Sequence, residues 1–103
     1  MTYIAKRRLL FSEKNSKSRK EVTIKISEPF VVTANDVTFP VDGTMCGCRV
    51  EIVGLDEPEF NLYGMDSLQA INIASDIDPL IKRLSDRYDF FWSTGEPYFD
   101  EQF

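Results

Sequence analysis

The hydrophobic period of this chain changes once, near Asp66, and that change restricts the folds open to it. Upstream, Val22, Ile24 and Ile26 alternate with Thr23, Lys25 and Ser27, and Cys46, Cys48, Val50 and Ile52 alternate with Gly47, Arg49 and Glu51. A period of two belongs to a half-buried strand, whose successive side chains point to opposite faces. Downstream, Leu68, Ile71, Ala74, Ile77, Leu80 or Ile81, Leu84 and Tyr88 recur at steps of three or four, the stripe of an amphipathic helix. Strands first and a helix afterwards predict an α+β, two-layer architecture: an antiparallel sheet of about four strands with one long helix packed on one face. At 103 residues the chain fits a single domain, residues 1–103.

The other two strands are read from weaker signals. Tyr3, Ala5, Leu9 and Phe11 share one parity with Arg7 interrupting it, so the first strand runs from Tyr3 to Phe11. A polar hairpin loop, Ser12 to Lys20, leads to the second strand. Glu59 to Tyr63 is a short fourth strand, and Pro29 to Gly43 is an irregular crossing segment opened by Glu28-Pro29. Asp66 is placed to cap the helix, with Gln69 closing a capping box three residues on. Pro79 would remove the bond to the Ser75 carbonyl and cost ~3 kcal/mol, so the helix is expected to kink or split near Ile77-Asp78, with Asp78 capping the second half.

Composition narrows the chemistry. The chain has no histidine, which excludes triad hydrolysis and His-bearing zinc sites. Cys46 and Cys48 alone cannot complete a four-ligand zinc set, and a C-x-C disulfide closes a small strained ring, so both are expected as free, half-buried thiols, with redox activity the alternative. Glycine-rich phosphate loops are absent. The carboxylates Asp56, Glu57 and Glu59 cluster around Pro58, where solvated charge is their ordinary reason to be there. No catalytic group, cofactor or metal is expected.

Charge is unevenly spread. The whole chain is acidic, with a net charge of -5, yet its first 25 residues hold eight basic side chains against two acidic ones. The aromatic segment from Phe90 to Phe99 must either cover an open part of the core or form a docking patch, and cover is the stronger expectation in so small a domain. A small acidic, non-enzymatic protein-interaction module follows as the leading functional expectation, of the inhibitor or immunity type that binds a basic protein partner. Trp92, Tyr98 and Phe99 would be its anchors, with Asp100 and Glu101 steering the encounter. The alternative is a nucleic-acid contact through the basic hairpin residues Lys14, Lys17, Arg19 and Lys20. No apolar run is long enough for a membrane helix and no signal-peptide pattern opens the chain, so a cytoplasmic protein is expected, as a monomer or as a homodimer through an edge strand.

Three segments carry a resemblance: Ile4-Ala5-Lys6-Arg7-Arg8-Leu9, the helix start Gly64-Met65-Asp66-Ser67-Leu68-Gln69-Ala70-Ile71 running into Ala74 and Ile77, and Phe91-Trp92 followed by Gly95-Glu96. Together they resemble a family of short bacterial proteins of unknown function, the most specific element being G-x-D-S-x-Q-A. The resemblance implies a bacterial cytoplasmic origin and a compact α+β domain, and it transfers no catalytic or binding residue. In physical terms the same motif is structural: Gly64 permits the strand-to-helix turn, and Ala70 and Ala74 permit close approach of helix to sheet.

Overall fold

The computed structural model describes residues 1–41 and 43–99. In chain order they form β1 (Tyr3–Glu13), β2 (Lys20–Ser27), β3 (Phe30–Val31), β4 (Cys46–Val53), β5 (Phe60–Gly64), α1 (Ser67–Ser75), α2 (Asp78–Leu84) and β6 (Tyr88–Phe91). All strand pairs are antiparallel, in one sheet with a single bent helical element on one face. The α+β class thus follows the change of period.

Six strands are present among the described residues, where about four were expected. One addition is β3, two residues beyond Pro29 that pair with Gly47 and Cys46 and carry β2 onward along the same edge of β4. Two residues are too few to show a period. The other is β6, whose first residue, Tyr88, fits the helical spacing equally well. The helix ends at Leu84; Ser85 N–H still makes the helical bond to Ile81, and the chain then tightens into a turn closed by Arg87 N–H to the Leu84 carbonyl. The chain then returns beside β1, pairing Leu10–Glu13 with Phe91–Tyr88.

The helix divides where Pro79 requires. α1 is capped as expected, with the Asp66 carboxylate accepting from the Gln69 N–H at 2.8 Å, while the Gln69 side chain reaches back to the Met65 N–H at 2.6 Å. Asp78 does not cap the second piece. Ile77 holds the cap position without a side-chain bond, and Asp78 is the first residue of α2. The inward stripe is Ala70, Ala74, Ile77, Ile81 and Leu84; Leu68, expected within it, is 76% exposed on the first turn. A Cβ on Gly64 would lie 2.5 Å from the Ala70 backbone nitrogen, so this glycine is required by the close approach of α1.

Against that stripe the sheet packs Leu9, Phe11, Val22, Ile24, Ile26, Cys48, Val50, Ile52 and Phe90, the core of the domain. One strand departs from simple alternation. Tyr3 opposes Ser27 while Ala5 opposes Ile26, so Ile4 is the extra residue of a β-bulge. The bulge moves Tyr3 off the helix-covered face, where its parity with Ala5 would put it, onto the open face. There its hydroxyl donates to the Glu51 carboxylate and the Lys25 ammonium lies 4.3 Å from its ring centre. The outward residues Thr23, Lys25, Arg49 and Glu51 occupy this same face.

Candidate functional site

An unpaired stretch of sheet edge is set by where β6 stops. β6 lies beside β1 only from Leu10 to Glu13; after Phe91 it turns through residues 92–96, with Trp92 N–H donating to Glu96 and Gly95 N–H to Trp92. Residues 97 and 98 then pair on the far side of β6, through a Phe91–Pro97 bridge and a Tyr98 N–H to Phe90 bond of 2.9 Å. No strand among the described residues occupies the outer edge of β1 from Tyr3 to Leu9. Its residues Ile4 to Arg8 are exposed.

A cavity flanks this edge on each face of the sheet. On the helix side one of about 130 Å³ lies between β1 and the α1–α2 junction, floored by Ile24, Ile26 and Ile77 and rimmed by Ala5 and Arg7. On the open side one of about 310 Å³ is lined by Tyr3, Ile4, Ala5, Lys6 and Lys25. Register places Lys6 directly opposite Lys25 and Arg8 opposite Thr23. Lys25 has Glu51 at 3.9 Å, whereas Lys6 and Arg8 have no ion-pair partner among the described residues.

The aromatic anchors meet at one end of the same edge. Trp92 and Tyr98 have ring centres 4.7 Å apart, and Phe99 follows at 5.0 Å from Tyr98. Arg7 ties them to β1: its guanidinium carbon lies 5.3 Å from the Trp92 ring centre, and its Nη1 donates to the Tyr98 hydroxyl at 2.6 Å. The Tyr98 hydroxyl in turn donates to the Asp78 carboxylate at the start of α2. Burial, then the bond to Asp78, pushes the Tyr98 phenol above its ordinary value. Tyr98 and Phe99 are packed against the core, as a cover would be, while Trp92 remains 39% exposed. Asp100 and Glu101, the expected steering charges, lie outside the described residues.

The hairpin cations are not gathered into a second site. Lys14 pairs with Asp89 at 2.6 Å, and Arg19 lies 3.7 Å from the Phe91 ring centre and donates to the Gly95 carbonyl. Two of the four are thus held by the domain's own β6 hairpin. Lys17 and Lys20 are exposed. Both cysteines are free, Cys46 half-buried and Cys48 fully buried, and burial pushes the Cys48 thiol up, away from the reactive thiolate. Among the described residues no group of three Cys, Asp or Glu side chains is placed to hold a metal, and no helix is long and apolar enough to cross a membrane.

No family model, no curated protein and no solved structure matches the chain. The site is therefore read from its own chemistry. Sequence reasoning put forward Trp92, Tyr98 and Phe99, which the structure brings together, and passed over Lys6, Arg7 and Arg8 beside them. The signal was available: three consecutive cations within a strand pattern are how an edge strand is guarded against indiscriminate pairing.

Proposed function

We propose that this chain is a small non-enzymatic protein-interaction module whose partner docks where Trp92 meets the open edge of β1. The observation that carries this reading is the Arg7–Tyr98–Asp78 tie beneath the Trp92 ring, which holds an exposed aromatic at the end of an unpaired strand edge. A fixed aromatic with a polar neighbour is what interface hot spots use, since little side-chain freedom is left to lose on binding. The expectation of a basic partner rested on the acidity of the whole chain, with Asp100 and Glu101 as steering charges; the described charge over the Trp92 ring is the cationic Arg7, itself 4.0 Å from the Asp78 carboxylate.

The test is capture on the tagged protein from a lysate of the cells that express it, with and without nuclease. The expected result is one protein retained in stoichiometric amount, insensitive to nuclease and lost in Trp92→Ala. Retention that disappears with nuclease, and with neutralisation of Lys17 and Lys20, replaces this reading with the nucleic-acid one.

A further inference from the structure

The geometry points to strand addition: the β1 edge from Tyr3 to Leu9 accepts an extended peptide segment of another protein, with acidic side chains on the open face and apolar ones on the helix side. This rests on the interaction-module reading and names the chemistry of its partner. An added strand there would continue the line that β6 leaves at Phe91, with Trp92 at its end. Backbone pairing supplies the affinity of such additions, and pockets for alternate side chains supply the selectivity. Both pockets exist here. Side chains on the helix side would meet Ala5 and the isoleucine floor at Ile24, Ile26 and Ile77, and those on the open side would meet Lys6, Arg8 and Lys25.

Charge selects among the possible occupants. A second copy of this strand would set Lys6, Arg7 and Arg8 against their own equivalents, and like charges directly opposite destabilise a pair. The opposition of Lys6 to Lys25 within the sheet is unfavourable for the same reason, and a carboxylate added beside Lys6 would relieve it. A nucleic acid finds less to hold. On the open face Tyr3 already bonds Glu51 and lies beneath Lys25, and Glu51 stands in the same cross-strand row as Lys6 and Lys25. An acidic, alternating peptide matches the cations and both cavities together.

The probe is a capped heptapeptide alternating Val and Glu, labelled at one end and titrated with the intact protein. Saturable binding is expected, absent for the Val/Lys peptide and about tenfold or more weaker for Lys6→Glu with Arg8→Glu, two cross-strand charge contacts being reversed. Two N-methylated versions, methylated at odd or at even positions, give the sharper reading. One should lose binding and the other keep it, because an added strand uses alternate N–H groups only. Equal affinity for both methylated peptides, no saturable binding of the parent, displacement by oligothymidylate at lower concentration, or a dimer of the free protein that Arg7→Glu dissociates would each overturn the proposal. Failure here is separable from failure of the module reading. A captured protein lost in Trp92→Ala but kept in the Lys6→Glu, Arg8→Glu protein ends strand addition alone.

Discussion

One strand, β1, behaves as two. Its second half, entered at Leu9, has β6 along its outer side from Leu10 to Glu13 and buries Leu9, Phe11 and Ser12. Its first half has β2 on one side only, carries Lys6, Arg7 and Arg8, and stays in solvent. The backbone is the same extended ladder in both, so the difference comes from neighbours. β6 is four residues long and leaves β1 at Phe91, and helical cover on the inner face thins to the cavity beside Ile77. A strand half without a partner is stable here because its pairing to β2 is intact and its charges keep other edges away.

The contrast is broken most severely from the buried half. Leu9, 1% exposed, belongs to the buried core cluster, so Leu9→Ala should cost about 2–5 kcal/mol by denaturant unfolding, a large share of a small domain's stability. A truncation of Lys6 to alanine should stay within about 0.5 kcal/mol. If the two variants lose stability equally, the halves are not distinct and the exposed edge is part of the structural core.

The next effect concerns the tie between them. Tyr98→Phe removes the hydroxyl that receives from Arg7 and donates to Asp78, and should cost about 1 kcal/mol at neutral pH. Its pH dependence is more specific. The Tyr98 phenol is raised from 10.0 by burial and by the Asp78 bond, so its contribution is present below pH 10 and is lost as pH rises through the folded-state value. Tyr98→Phe should flatten part of this alkaline limb, to which Tyr3 and Cys48, shifted in the same direction, also contribute. An unchanged limb would mean that the hydroxyl is solvated and the tie absent.

How far the sequence discloses these two halves depends on whether a feature is local. The alternation of Val22, Ile24 and Ile26 and the cap at Asp66 involve near neighbours, and both appear where the pattern puts them. Pro79 likewise divides the helix by removing a bond four residues away. β6 was hidden because Tyr88 satisfies a helical step and a strand equally; only pairing to Leu10–Glu13, far off in sequence, decides it. The bulge at Ile4 was invisible for a related reason, since it exists only in the register against Ser27 and Ile26. Of the candidate site, the aromatic residues Trp92, Tyr98 and Phe99 stand out by composition, and the structure sets their rings side by side. The open edge was not, because an unpaired edge is a property of the whole sheet and of where its last strand stops.

A thiol experiment grades two positions of β4 by access. Cys46 and Cys48 lie two apart on one strand, but Cys46 is half-buried near the sheet end while Cys48 is fully enclosed, its thiol pushed up by burial. A thiol reagent in native buffer should modify Cys46 first and Cys48 only as fast as the domain opens, with both reacting at once in denaturant. Equal native rates would mean that β4 opens locally and that the core is less uniform than the buried half of β1 implies.

The smallest effect is the most diagnostic, because its sign opposes the usual one. Lys6 faces Lys25 across the β1–β2 pair, and Lys25 faces Glu51 across the β2–β4 pair, so the row reads cation, cation, anion. Lys6→Glu turns the first contact attractive and should stabilise the free domain by a few tenths of a kcal/mol. The gain should shrink as salt screens the exposed pair. The same substitution should weaken the Val/Glu peptide, so stability and binding move in opposite directions at one residue. If lysine at that position served only to keep the edge unpaired, Lys6→Glu would leave peptide binding untouched, since glutamate guards an edge as lysine does. A stabilised variant that binds the peptide as well as the parent would therefore reduce the first half of β1 to a protected edge.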